Sequence, residues 1–348
     1  MIPVYPKTKI YILAPSDYVT GGAECLHQLS HKLIKFNYKA FVYYIPKIKE
    51  SFVEAYKKYD VKKAERIEDD EKNIVIIPES WIDKIKNFKN IRKCIYWLSV
   101  DNVKRNTTLP IGKINKKIPF FRKKFPKTYE LLKSIYGKMN RRGKILFDFN
   151  NPKNMEVIHL AQSYYAKDFL EKRGVKKIYI LSDYINKDFL YKGKIKKENL
   201  VAYNPRKGWE ITEKIIKNSP PHIKYVKLFN MAPFEISKTL AKCMVYIDFG
   251  DHPGKDRIPR EAVIHDCCVI VGKRGSAKFY EDIPIKEEYK FSVEPLNIDA
   301  IIGKINECIK DYKNKIKDFK IYKRIVKNDE KNFEKEIKEI FFKIDNGT

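Results

Sequence analysis

The run Lys9–Ile45, KIYILAPSDYVTGGAECLHQLSHKLIKFNYKAFVYYI, decides the fold class. An apolar stretch of strand length, KIYILAP, passes into a polar loop that ends in two glycines, SDYVTGG. Leu26, Leu29, Leu33 and Ile34 then recur at helical spacing, and KAFVYYI returns to strand composition. This is a βαβ unit, the building block of a parallel α/β sheet.

Outward from it the alternation continues. NIVIIP, KCIYWLSV, EVIHLAQS and KKIYILSD read as further strands, with a helix from Tyr164 to Arg173 between the last two. The Lys-rich stretch KDFLYKGKIKKEN reads as a linker. A second series then begins at NLVAYNPRKG. It runs through a helix from Trp209 to Lys217, the strand IKYVKLF, a helix from Phe234 to Lys242 and the strand KCMVYID. A loop leads to a helix beginning near Pro259, then to CCVIVG and a shorter strand near YKFSV. From Leu296 the chain turns helical and charged, with Ile337, Ile340, Phe341 and Ile344 as an apolar stripe on the last segment. The pattern predicts two doubly wound domains: 1–185, with a basic insertion at 104–145, and 186–322, followed by a C-terminal helix at 323–348.

The 348 residues include 43% hydrophobic and 13% aromatic side chains, which suits two packed cores and argues against disorder. The formal net charge of +28 allows an anionic partner: nucleic acid, a membrane surface or an acidic substrate. Lysine is spread along the whole chain and no zinc-finger or RRM signature appears, which weighs against nucleic acid. Six cysteines (Cys25, Cys94, Cys243, Cys267, Cys268 and Cys308) lack metal-ligand spacing and read as reduced core thiols. No run approaches the roughly 20 apolar residues of a membrane span, and the N-terminus lacks a signal-peptide pattern. A cytoplasmic protein is expected, in which the glycosylation sequons at Asn106 and Asn346 are chance matches.

From Lys104 to Lys144 fourteen Lys or Arg residues face one acid, Glu130. They are interleaved with Ile118, Phe120, Phe121, Phe125, Tyr129, Leu131 and Tyr136. A solvated lysine-rich face and an amphipathic surface for anionic lipid are the two readings. The second would place the protein peripherally at a membrane.

Three polar motifs fall between a strand and a helix. Gly21 and Gly22 let the backbone approach a ligand at a helix N-terminus, though a glycine turn capped by Thr20 is an equal account. Asn204, Arg206 and Lys207 of YNPRKG set two cations at the mouth of the second sheet, though an exposed basic turn in a lysine-rich chain accounts for them as well when the motif is taken alone. The stretch DFGDHPGKDRIPREA, Asp248 to Ala262, gathers acids and bases at a strand end, where open α/β sheets bind ligands. Its DFG lacks the kinase HRD and glycine-rich loops, so the match to kinases is coincidental. Asp101, in YWLSVDN, stands where a general base or positioning carboxylate would stand, whereas His159, in VIHLAQS, reads as a core histidine.

Together TGGAE, YNPRKG, DFGDHPGKDRIPREA and the following GSA resemble, in this order and over nearly the whole chain, the GT-B glycosyltransferases. The resemblance is to the retaining family 4, or group 1, enzymes of surface polysaccharide synthesis. It implies two Rossmann-like domains facing a cleft, a C-terminal helix crossing back, a nucleotide-sugar donor held mainly by the second domain, and neither metal nor other cofactor. The donor residues it implies are Gly21 and Gly22 in the first domain and Lys207 in the second; the arginine that the family places several positions before this lysine is absent, Tyr203 and Asn204 occupying that region, and Arg206 is the candidate to substitute, with Asn204, Asp251, His252, Gly254, Lys255, Arg257 and Glu261 completing the donor set. Glu261 matches the second of the family's paired glutamates, which bonds the ribose, but Pro253 stands at the first. Asp251, His252 and Asp256 are the candidates to replace it. Asp101 would be the base of an inverting reaction or an acceptor-positioning group in a retaining one.

The function expected is sugar transfer to a glycan or lipid-linked glycan, with an anionic membrane surface as a further partner. The alternatives are a basic nucleic-acid-binding protein and a nucleotide-sugar epimerase of the same architecture.

Overall fold

The computed structural model describes residues 1–16, 19–46, 54–105, 147–151, 154–187 and 190–344. The basic insertion and both glycosylation sequons lie outside these residues, apart from the insertion's first two. The chain divides into two compact units, one made of Met1–Pro3, Ala161–Asp168 and Ile180–Phe342, the other of Val4–Leu160, Phe169–Tyr179 and Lys343–Thr348. We call them the C-unit and the N-unit. Among the described residues no helix is long and apolar enough to cross a membrane.

The strands, in chain order, are β1 (Ile2–Val4), β2 (Lys9–Pro15), β3 (Lys39–Ile45), β4 (Ile74–Pro78), β5 (Arg92–Trp97), β6 (Ile158–Ala161) and β7 (Ile178–Ile180). They continue with β8 (Glu198–Tyr203), β9 (Lys224–Lys227), β10 (Cys243–Asp248), β11 (Cys268–Gly272), β12 (Lys290–Phe291) and β13 (Phe341–Lys343). The helices used below are α1 (Gly21–Lys35), α2 (Val100–Arg105), α3 (Tyr164–Glu171), α4 (Trp209–Asn218), α5 (Pro233–Lys242) and α6 (Arg257–Ile264).

Six strands make the N-unit sheet, in the order β3-β2-β4-β5-β6-β7. The register is parallel where β2 meets β3 and β4, and where β4 meets β5. β4 is buried along its length, as a strand covered on both faces must be. Two connections that alternation would make α-helical are short 3₁₀ segments instead, Glu54–Tyr59 and Glu79–Asn87. Thr20 caps α1, its hydroxyl accepting from Ala23 N at 3.2 Å.

The C-unit sheet runs β12-β11-β10-β8-β9 and is parallel throughout. Counted from its first strand this is the order 2-1-3-4-5, whose direction of winding reverses between β8 and β10. Register puts Ile247 of β10 opposite Tyr203 of β8, so the loops after both strands leave the sheet at one level. The core beneath is continuous, from Val201 and Ile247 through Val269 and Ile301 to Tyr322 and Val326 of the helix Lys320–Ile340.

All six cysteines are buried thiols, none of them in a disulfide. α6 begins at Arg257, two residues before the expected start, because Pro259 then falls in the first turn, where a missing N–H costs nothing. The last apolar stripe is helical only as far as Ile340. Phe341 instead opens β13, which pairs with β1.

Candidate functional site

The carboxyl edge of the C-unit sheet is built by three loops that touch backbone to backbone. Gly208 has φ +60°, and a Cβ there would overlap the Phe249 carbonyl. Gly275 has φ +48°, and a Cβ would overlap the carbonyls of Asp251 and His252. Gly250 closes the third contact, since a Cβ would lie 2.8 Å from that of Lys207. At Gly208 and Gly275 only glycine gives both this backbone region and this approach. Ser276 completes the join, its N–H donating to His252 O at 2.9 Å and its hydroxyl to Gly254 O at 2.8 Å.

A chain of charged groups runs outward from the strand end. Asp248 is buried, and its oxygens accept from the Tyr246 hydroxyl at 2.7 Å and from Gly250 N at 2.9 Å. His252 is fully buried at φ +44°, unusual for a side chain of its size. Its Nε2 lies 3.6 Å from Asp248 Oδ1 and its Nδ1 3.0 Å from Asp256 Oδ2, the latter an ionic contact rather than an aligned hydrogen bond. Lys207 Nζ donates to the other oxygen, Asp256 Oδ1, at 2.7 Å. Exposure increases along the chain: none for the His252 side chain, 18% for Asp256 and 36% for Lys207.

Electrostatics follow from that gradient. Burial alone would lower the His252 pKa, but the charges of Asp248 and Asp256 override it and raise the imidazole above its ordinary value. Burial would raise Asp256, yet His252 and Lys207 hold it well below the usual carboxylate range. Lys207 is likewise raised, desolvation being outweighed by Asp256. Asp248, His252 and Asp256 are the group that could enclose a cation among the described residues, with ligand atoms within 4.8 Å of one another. Its two carboxylates already face a lysine ammonium and a histidine held toward its protonated form.

The other donor candidates lie around this chain in the same unit. Asn204 shapes the turn, its Oδ1 accepting from Arg206 N at 3.0 Å. Arg206 turns away from Lys207, donating to Asn230 Oδ1 at 3.2 Å and lying over the Phe229 ring. Asp251 is exposed and 3.5 Å from Arg274. Lys255 donates to Asp329 Oδ1 at 3.1 Å. Arg257 Nε pairs with Glu261 Oε1 at 2.8 Å, with the Glu261 side chain fully buried. Gly21, Gly22 and Asp101 belong to the N-unit, the glycines in the first turn of α1 and Asp101 in the first turn of α2.

Three further groups stand out only in the structure. Arg260 is buried and bonds Asp183 Oδ2 at 2.8 Å, Asp329 Oδ2 at 3.2 Å and Lys255 O at 3.1 Å, which ties the loop before α6 to the helix Lys320–Ile340. Two buried carboxylates keep its guanidinium charged against the effect of burial. Arg274, just before Gly275, spans Glu210 at 3.1 Å and Phe249 O at 3.4 Å. In the N-unit, Glu79 at the end of β4 is buried and accepts from Leu98 N and Asn102 Nδ2, each at 2.9 Å. Burial pushes its pKa up to about 7 despite those donors. For Arg274 the signal was local, a basic residue abutting GSA. For Arg260 and Glu79 it was absent, because their partners are set by tertiary contact.

No protein-family model matches the sequence, and no curated protein matches it. Solved structures do match over nearly full length. HepE from Anabaena, in complex with UDP and glucose, has a TM-score of 0.58 at 13% identity, covering 96% of this chain and 99% of its own. Sucrose-phosphate synthase from Thermosynechococcus elongatus has 0.58 at 12%, covering 96% and 98%. A glycosyltransferase from Rickettsia africae has 0.57 at 15%, covering 97% and 99%. At such identities the likeness is one of fold. The chain is an α/β protein with the fold of the GT-B glycosyltransferases, as the order of its motifs led us to expect.

Proposed function

With the GT-B fold as premise, we propose that the protein is a glycosyltransferase whose C-unit holds the diphosphate of a nucleotide-sugar donor at Lys207. One observation carries this reading. Lys207 stands at the point where the C-unit sheet reverses its winding, beside the strand end that carries Asp248, where doubly wound sheets take their ligands. Cleavage of the donor's glycosidic bond leaves negative charge on the departing diphosphate, and an ammonium fixed in place stabilises that charge as it develops. Lys207 is partly desolvated and held by Asp256, so little reorganisation is needed when a phosphate arrives. Metal independence belongs to the same reading, since Lys207 already sets an ammonium against Asp256, a carboxylate that a metal ion would otherwise meet. The acceptor we propose is a glycan hydroxyl, consistent with the resemblance to surface polysaccharide enzymes.

Calorimetric titration with UDP-, GDP-, ADP- and dTDP-sugars tests the reading. At least one should bind and release its nucleoside diphosphate on transfer or slow hydrolysis. Lys207→Ala should weaken that binding by about ten- to a hundredfold, the effect of losing a charge-assisted hydrogen bond of ~1.5–3 kcal/mol. A folded Lys207→Ala protein with undiminished affinity would remove the lysine from the site. Turnover of the sugar without acceptor and without diphosphate release would favour an epimerase.

A further inference from the structure

The C-unit holds a recess away from its sheet edge. A cavity of about 520 Å³ lies where the segment after β7, the last residue of α6 and the helix Lys320–Ile340 meet. Small-molecule sites have volumes of roughly 300–1,000 Å³. Ile264, in its wall, ends α6, whereas Asp256 caps the start of that helix. Eight residues of helix at about 1.5 Å each set the two roughly 12 Å apart, so the cavity is separate from the Lys207 site. We infer that it binds a small phosphate monoester with a flat apolar body, and would do so whether or not Lys207 holds a nucleotide sugar.

The apolar body is read from the lining. Ile185 and Val326 are buried in it, with Ile264 half-buried beside them. Two tyrosines add ring surface, and each is braced by a second ring. Tyr184 lies 5.6 Å from Phe333 between centroids, and Tyr191 meets Phe234 edge-on at 5.8 Å. Tyr191 is also fixed through its backbone, its N–H donating to Ser237 Oγ at 2.6 Å. A Cβ at Gly193 would overlap its ring, so the small residue there leaves the ring its place. Rings held in this way lose little freedom when a planar ligand packs on them.

The phosphate is read from the charge. Lys187, Lys192 and Lys327 line the same cavity and are exposed, which places their ammonium groups at its mouth. The acid in the lining is Glu330, and Lys187 Nζ already donates to its Oε2 at 2.6 Å. Among the described residues Lys192 and Lys327 have no ion-pair partner, so two positive charges stand unmatched over an apolar floor. A phosphate monoester carries about −1.5 to −2 near pH 7 and matches both. A carboxylate matches one. With the head at the exposed mouth and the body on the floor, neither the phosphate nor the lysines need be stripped of water, so the cost of burying charge is avoided.

The experiment is a calorimetric titration of the full chain with 1-naphthyl phosphate in the presence of UDP. The wild type should bind it saturably at one site. Lys192→Ala and Lys327→Ala, both at exposed positions and so expected to keep the wild-type thermal midpoint, should each weaken that binding about tenfold through loss of a charge-assisted contact. Lys207→Ala should bind the probe as the wild type does. Two control ligands test the two halves of the assignment: 1-naphthoate lacks the second charge, and inorganic phosphate lacks the apolar body. Each should bind at least about tenfold more weakly. No binding to the wild type, or binding that both cavity-lysine variants leave unchanged, overturns the inference. Loss of binding in Lys207→Ala overturns it too, by placing the probe at the sheet edge, as does a control ligand that binds as tightly as 1-naphthyl phosphate.

Discussion

Each unit presents a glycine-bearing turn between a parallel strand and a helix, yet the glycines are there for different reasons. In the C-unit, Gly208, Gly250 and Gly275 are demanded by packing, because a Cβ at each would meet the backbone or Cβ of a neighbouring loop. In the N-unit, a Cβ on Gly21 would meet none of the described residues within 4 Å, and one on Gly22 would make an ordinary 3.5 Å contact with Leu98. The first set locks three loops into one wall that fixes Lys207 and Asp256. At the second, no packing constraint among the described residues demands a glycine in the first turn of this 15-residue helix. Glycine in a sequence thus marks either a place where the protein meets itself or a place left open, and spacing alone does not say which.

The largest expected effect tests the locked wall. Gly208→Ala must carry a Cβ at φ +60° into the Phe249 carbonyl, and should destabilise the protein by more than about 3 kcal/mol, read as a lower thermal or denaturant midpoint. A midpoint within a degree of wild type would show that the loops are not packed as described.

The next effect contrasts one acid at each of the two sheet edges. Glu79 has a folded-state pKa raised from 4.5 to about 7, so the folded state favours the protonated acid. Its contribution to stability is lost as pH rises from about 4.5 through 7, roughly 3 kcal/mol across that window. Asp256, held below its ordinary value, works in the opposite sense and loses stability as pH falls below about 4. The stability difference between wild type and Glu79→Gln should therefore shift against the wild type between pH 4.5 and 7 and level off above it. A difference independent of pH would mean that Glu79 does not titrate in this range.

The smallest effect belongs to the open turn. Gly21→Ala should change stability by no more than about 1 kcal/mol, and toward the more stable side, because alanine lowers the entropy of the unfolded chain at a helical position. A loss comparable to that of Gly208→Ala would erase the distinction between the turns.

Much of the fold was legible because it rests on local periodicity. The βαβ unit at Lys9–Ile45 and the strands KCMVYID and CCVIVG formed as their patterns predicted. The 3₁₀ connections and the strand at Phe341 did not follow from pattern. Phe341–Lys343 finds its partner at Ile2–Val4, more than 300 residues away in the chain, where no sequence window reaches. The site divides in the same way. Lys207 and the acids of DFGDHPGKD drew attention because polar residues break off an apolar strand. Nothing local showed that Arg260 would be fixed by Asp183 and Asp329, or that Asp282 would cap α3 by accepting from Tyr164 N at 2.8 Å.

The sequence by itself determined the α/β alternation, the strand ends at which charge gathers and the glycines between them, since these depend on neighbours a few residues apart. Only the tertiary structure decided which of those charges meet. Parallel pairing of β8 with β10 brings Lys207 to Asp256 across 49 residues of chain. Burial then sets which acids are used up inside the wall and which one still faces outward.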